Sequence, residues 1–348
     1  MNRSHRGNMS KSRKKEADTP TKMGHLSNRP ATHVQFRNVT IEDEGQRLDN
    51  FLFRIFKGIP KSHVYRIIRS GEVRVNKGRV DQTYRLVAGD VVRVPPLKIT
   101  TQPKHYVPAK TFDVLYEDDC LLVINKPAGI AVHGGSGVSF GIIEQLRSAN
   151  PKAKFLELVH RLDKETSGIL VLAKKRSALV KLHEQIRLGS IDKRYQALVS
   201  GNWKNNRQHV RFPLLKYHTA QGERRVKVDD KGLVSHTIFN VLKHYGNFTL
   251  LEAELKTGRT HQIRVHLSSL GYAIVGDDKY GNFELNKHLQ KTANGGFSRM
   301  FLHAYHIEFT HPETGQPIII NAPLPKECSS YLNLLQQHVE DKNASSKL

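Results

Sequence analysis

From Phe112 to Ile320 the chain is written as short apolar runs parted by polar turns, and this constrains the fold more than any other feature. Strands are predicted at Phe112–Tyr116, Leu121–Asn125, Leu156–Val159, Ile169–Ala173, Tyr195–Val199, His236–Leu242, Thr249–Leu255, Met300–Phe309 and Ile318–Ile320. Helices are predicted only at Phe140–Arg147, Ser177–Leu188, Thr260–Leu270 and Lys326–Gln337. The absence of βαβ alternation argues against a Rossmann sheet. The expected class is α+β: a bent, mostly antiparallel mixed sheet with flanking helices. Pro312-Glu313-Thr314-Gly315, between the last two runs, reads as a hairpin turn.

At 348 residues the chain is long for one core, so two domains are expected. Residues 45–94 form a small unit of their own. Leu48, Phe51, Leu52 and Ile55 recur at helical spacing, as do Val64, Ile67 and Ile68 after Pro60. Val73 and Val75, then Val91, Val92 and Val94, read as a small sheet. Arg66, Arg69 and Arg74 give this unit an electropositive ridge. Residues 95–110, with Pro95, Pro96, Pro103 and Pro108, are expected to be a linker, and 111–337 the larger domain. Residues 1–33 are basic, with little to bury, and are expected to be disordered. They read as an RNA-binding arm or as an extension upstream of a later start at Met9 or Met23. Residues 338–348 are expected to be a disordered tail.

Charge names the class of partner. A formal net charge of +23 points to a polyanion, because each Lys or Arg set against a phosphate releases counterions. No apolar stretch is long enough to cross a membrane, and no amphipathic helix suits a lipid surface. Cys120 and Cys328 lie far apart and form no CxxC pair, which argues for a reducing compartment, read as the cytoplasm.

The sharpest chemical signal is His160-Arg161-Leu162-Asp163-Lys164-Glu165-Thr166-Ser167-Gly168. This glycine-closed turn between two apolar runs brings Asp163 out of the core at a strand end, beside groups that carry positive charge. By spacing alone, such an aspartate is most often a turn cap.

The motif resembles the signature of the pseudouridine synthases that modify large ribosomal RNA. The resemblance begins near Gly45-Gln46-Arg47-Leu48-Asp49 and passes through Leu122-Val123-Ile124-Asn125-Lys126-Pro127. It continues through Lys193-Arg194-Tyr195 and Gly258-Arg259-Thr260-His261-Gln262-Ile263-Arg264-Val265-His266, and fades only after Pro323. It implies the pseudouridine synthase fold preceded by a unit similar to the S4 RNA-binding module. It also implies an isomerase that detaches uracil, rotates it and rejoins it through carbon in 23S ribosomal RNA, at more than one uridine. Asp163 is then the catalytic carboxylate and Arg264 its partner. A carboxylate entering a drying site tends towards its neutral form, and a guanidinium beside it opposes that. Tyr195 is placed beneath the base as proton acceptor at C5, a weak base that needs an acidic C5 proton. Arg161 either stacks in the space left by the extruded nucleotide or binds phosphate. His160 and Lys193 are expected substrate or RNA contacts.

His133-Gly134-Gly135-Ser136-Gly137 is a glycine-rich loop whose amides suit phosphate, with His133 as an RNA contact, but it lacks the GK[ST] ending of a nucleotide-binding loop. The histidines show no metal-ligand spacing, so neither metal nor cofactor is expected. The expected partner is 23S rRNA or a large-subunit assembly particle, engaged by a monomer. Two readings compete: a non-catalytic RNA-binding or ribosome-assembly factor on the same frame, and a synthase acting on transfer or messenger RNA. The joint presence of Asp163, Tyr195 and Arg264 speaks against the first.

Overall fold

The computed structural model describes residues 33–56, 59–96, 107–135, 138–291 and 296–345. Residues 1–32 of the expected extension, 97–106 of the expected linker and the final 346–348 lie outside them. The chain divides into two compact units, residues 1–102 and 103–348.

The first unit runs β1 (Gln35–Asn38), α1 (Leu48–Ile55), α2 (Lys61–Arg69), β2 (Arg74–Val75) and β3 (Val91–Val94). The periodic residues bury as expected: Leu48, Phe51, Leu52, Val64, Ile67 and Ile68 pack on Val73, Val75, Val92 and Val94. Pro60 caps α2 and Gly71, at φ +74°, ends it. Strand β1 was not predicted. It is polar at alternate positions, with Phe36 exposed, and is recruited by antiparallel pairing with β3 rather than by burial.

The second unit opens with β4 (Asp113–Glu117), β5 (Leu121–Lys126), α3 (Ile142–Ala149), β6 (Glu157–Leu158), β7 (Ser167–Ala173) and α4 (Arg176–Leu188). It continues through β8 (Asp192–Ser200), β9 (Arg207–Val210), β10 (Leu214–His218), β11 (Arg224–Val228), β12 (Thr237–Tyr245) and β13 (Phe248–Leu255). It closes with α5 (Gln262–Ser269), α6 (Phe283–Lys291), β14 (Leu302–Thr310), β15 (Pro317–Asn321) and α7 (Lys326–Ser345). The main sheet has the order β4-β5-β7-β14-β8-β13-β12-β9, with β6 beside β7 and β15 beside β14. All its pairings are antiparallel except β7 with β14.

Strand periodicity sorts the core into two layers. Leu122, Ile124, Leu170 and Leu172 face α3, α5 and α7. Leu121, Val123, Ile169 and Val171 face Ala178 and Leu182 of α4. Strand β7 is buried throughout, so the turn before it hangs from the centre of the sheet.

Gly168 makes the parallel seam possible. It sits at φ +108°, and a Cβ there would lie 2.1 Å from the Ala304 carbonyl oxygen. Only glycine lets β7 and β14 approach so closely.

Strands β9 to β11 and helix α6 form where no element was predicted. The ribbon β10–β11 stands apart from the main sheet, and its charge-rich sequence hides the few anchors, Leu214 and Val226, that pack with Val265. The expectation of a disordered tail is corrected for 338–345, which continue α7. The apolar stripe ends near Leu335, but extending a nucleated helix costs little, and Gln336 Nε2 donates to Glu340 at 2.6 Å along it. Both cysteines are buried and free.

Candidate active site

Asp163 lies on the turn between β6 and β7, and the backbone of that turn is fixed from below. Lys126, fully buried at the end of β5, donates through Nζ to the carbonyls of Pro127 and Ile130, both at 2.8 Å, and of Lys164 at 3.0 Å. Burial pushes this lysine down to about 7, yet three acceptors match the three protons of its charged form. The Gly129 amide also donates to Lys164 O. Beyond Asp163, the Ser167 hydroxyl accepts from Arg299 Nη2 at 2.7 Å and meets His303 Nδ1 at 2.9 Å. The turn is thus rigid backbone carrying one carboxylate into a cleft of about 430 Å3.

The opposite wall comes from α5. Arg264 is 3 % exposed, and its Nη1 donates to Asp163 Oδ2 at 3.2 Å. Nε and Nη2 grip Asp277 at 2.7 Å each, and Nη2 also reaches Asp278 at 3.2 Å. The guanidinium lies over the ring of Tyr280, 5.2 Å from its centroid. Burial is the largest single influence and opposes the charge on Arg264, but the hydrogen bonds and negative charges of Asp277 and Asp163 together outweigh it and hold the guanidinium protonated. His261 Nε2 stands 3.8 Å from Asp163 Oδ2.

Tyr195, on β8, lines the same cleft and is buried. Burial first, and the Asp163 charge second, push its phenol upward, so it stays protonated at neutral pH. Such a hydroxyl takes a further proton only from a strongly acidic partner.

His160, Arg161 and Lys193 also line the cleft. His160 accepts the Val171 amide on Nε2, and burial pushes it down to about 4, so it contributes a neutral ring rather than a cation. Arg161 is exposed at the rim, and Lys193 has no hydrogen-bond or ion-pair partner among the described residues.

His133 is exposed and lies outside the residues that line the cleft. The phosphate-cradle reading of its loop fails for the described residues. The Gly134 amide is spent on Glu144 Oε2 at 3.1 Å, and Gly135 and Val138 bond each other. Ser136 and Gly137 lie outside the described residues. Arg66, Arg69 and Arg74 belong to the first unit. There Arg66 pairs loosely with Glu72 at 3.5 Å, and Arg74 bonds the carbonyls of Gly71 and Lys77.

Sequence reasoning missed His261, Asp277 and Tyr280. The available signal was Gly276-Asp277-Asp278-Lys279-Tyr280-Gly281, an acidic pair between glycines after the apolar Ile274 and Val275. Two donor clusters among the described residues have metal-compatible spacing, Asp118–Cys120–His311 and Asp192–His306–Glu308. Neither lines the cleft.

Residues 120–269, which hold Asp163, Tyr195 and Arg264, match the RNA pseudouridylate synthase family, and residues 46–92 match the S4 domain. The chain is 49% identical over 313 residues to ribosomal large subunit pseudouridine synthase C of Pasteurella multocida, covering 87% of this chain and 94% of that one. It belongs to the pseudouridine synthase family. A second relative, the Yersinia pestis protein of the same name, is 50% identical over 90% of this chain and 98% of its own length. The solved structure of human RNA pseudouridylate synthase domain containing 4 is 28% identical, with a TM-score of 0.54, and covers 64% of this chain and 93% of that one. The synthase is therefore an isomerase with an S4 unit ahead of a pseudouridine synthase domain, as the motifs imply.

Proposed function

We propose that this synthase converts specified uridines of 23S ribosomal RNA, several of them, to pseudouridine, with Asp163 acting on the extruded nucleotide and no cofactor. The ribosomal substrate is supported by the two relatives named for the large subunit. The single observation that carries the mechanism is the Arg264 guanidinium bridging Asp163 and buried Asp277.

The reaction conserves atoms: the bond from ribose C1′ to uracil N1 breaks, one from C1′ to C5 forms, C5 gives up its proton and N1 takes one up. It needs an anion at the sugar or base, a platform for the freed uracil and a route for one proton. Asp163 supplies the anion, whether it attacks C1′, adds to C6 or promotes elimination to a glycal. Extrusion of the nucleotide costs roughly a few kcal/mol, repaid by contacts in the cleft. Tyr195 supplies an apolar face with a polar edge under the base. Arg161 and Lys193, both on the cleft wall, supply positive charge for the flanking phosphates. A ribosomal substrate supports action in the cytoplasm.

The test is Asp163→Asn in the full chain, assayed on 23S rRNA by pseudouridine mapping alongside RNA binding. Modification is expected to vanish while binding survives. Modification at the wild-type level overturns the mechanism.

A further inference from the structure

His261 stands just ahead of α5 with φ 54°, in the left-handed region that side chains other than glycine seldom adopt. Such strain persists where surroundings enforce it and gathers at active sites. Here it turns a mostly buried imidazole into the cleft, with Nε2 3.8 Å from Asp163 Oδ2 and Nδ1 2.8 Å from the Tyr280 hydroxyl.

Proton accounting around Tyr280 fixes the tautomer. Its oxygen accepts the amide of Val226, on the β10–β11 ribbon, at 2.9 Å. Its O–H has no other acceptor among the described residues, so it donates to His261 Nδ1. An imidazole that accepts at Nδ1 carries its proton on Nε2 when neutral. Burial lowers the pKa of His261, which favours the neutral ring. An N–H therefore faces Asp163 Oδ2, the oxygen that already accepts from Arg264 Nη1. Oδ1 of Asp163 accepts no hydrogen bond among the described residues.

We infer that His261 is a positioning residue: held by Tyr280 as a neutral Nε2–H donor, it joins Arg264 in occupying Oδ2 and leaves Oδ1 of Asp163 as the oxygen that acts on the nucleotide. The inference rests on the role proposed above for Asp163. At 3.8 Å the contact exceeds hydrogen-bond length, and catalytic contacts of this kind tighten as substrate binds. The relay also ties the site to the ribbon, since Arg225 of β11 donates to Lys279 O at 3.0 Å and Tyr280 packs beside Val226.

The ring is faced by Asp163 from the motif turn, Arg264 from its own helix, and Asp277, Lys279 and Tyr280 from the acidic loop. Protonating it sets a full charge against Asp163 and draws the carboxylate away from substrate. The synthase should therefore slow on the acid side, below the ordinary histidine range.

The experiment compares single-turnover rates at saturating 23S rRNA transcript for the full-length wild type, His261→Ala, His261→Gln and Tyr280→Phe, with RNA affinity measured separately. His261→Ala should cut the rate by about tenfold or more at unchanged affinity, as loss of a hydrogen bond to a charged group does. His261→Gln keeps an uncharged N–H donor, so it should recover most of the rate and lose the acid limb. Tyr280→Phe releases the tautomer and should fall between them. A wild-type rate for His261→Ala overturns the inference. So does a Gln variant as slow as Ala that keeps the wild-type pH profile, and this arm remains readable if the Ala variant misfolds. Asp163→Asn in the same assay separates the two readings. A dead Asp163→Asn beside a fully active His261→Ala sinks only the positioning role, whereas an active Asp163→Asn removes the functional reading itself.

Discussion

Asp163 and Asp277 are held by one guanidinium, Arg264, which forks onto Asp277 at 2.7 Å twice and reaches Asp163 with its remaining nitrogen at 3.2 Å. The division of labour follows from burial. Asp277 is 1 % exposed and serves as the permanent counter-ion, while Asp163, at 17 %, faces the cleft. The planar fork fits a carboxylate bidentately, so Arg264 cannot turn away from Asp163 without breaking the buried pair.

Asp277→Asn should therefore damage both stability and chemistry. Breaking a buried pair by removing one charge costs roughly 3 kcal/mol or more, and the freed guanidinium should swing towards Asp163 and tie up its carboxylate. Chemical denaturation and a single-turnover rate measure the two effects. A destabilised variant with an undiminished rate would show that Arg264 is aimed by other contacts.

Gly168→Ala tests the seam that carries the motif turn. The methyl would meet the Ala304 carbonyl at 2.1 Å, and alanine would have to hold φ +108°. Backbone is on both sides, so no side chain can yield. Strain of this order costs at least about 2 kcal/mol, and the expected outcome is a large drop in melting temperature with loss of modification. A variant that melts like the wild type would mean that β7 and β14 can part without consequence.

The sequence exposed what is periodic or locally coded, and hid what depends on pairing. Leu121 to Lys126 and Ser167 to Ala173 are near-continuous apolar runs, and both are buried strands. Asp163, Tyr195 and Arg264 carry the family's motif wording, and all three line one cleft. Asp277 and Tyr280 sit in a turn whose charge looks solvent-facing until Arg264 arrives from another element. His261 reads as one more histidine because its left-handed backbone angle leaves no trace in residue type. Strand β11 is charged at three of its five positions, and β10 and β11 hold together by register with each other, which no single segment encodes.

Deleting residues before Thr111 should weaken RNA binding and flatten its dependence on salt. The first unit carries Arg66, Arg69 and Arg74, and its exposed Phe36 borders a groove also lined by Arg74, Arg79 and Arg93. For every phosphate that the truncated chain leaves unneutralised, the slope of log affinity against log salt should shrink by roughly 0.9 on a duplex and 0.7 on a single strand. Titrations at several salt concentrations give the slope directly. An unchanged slope would remove the first unit from the RNA-binding surface.

Acid should unfold the synthase earlier than its carboxylates alone require. His160, His266 and His303 are each pushed down to about 4 by burial. His266 is fully buried among Ser235, Thr237 and the Phe212 carbonyl, and His303 between Ser167 and the Ala322 carbonyl. Unfolded, each titrates near 6.5. Between these values the unfolded chain binds the extra protons, so stability rises with pH across that window and is lost as pH falls from about 6.5 towards 4. Each ring accounts for a few kcal/mol at most, on the order of 1.4 kcal/mol per unit of displacement. Denaturant midpoints measured across the window should fall steeply, and His303→Gln, which removes one titrating ring, should flatten the fall by up to about one proton's worth. Equal pH slopes for the variant and the wild type would mean that His303 is not among the rings that charge on unfolding.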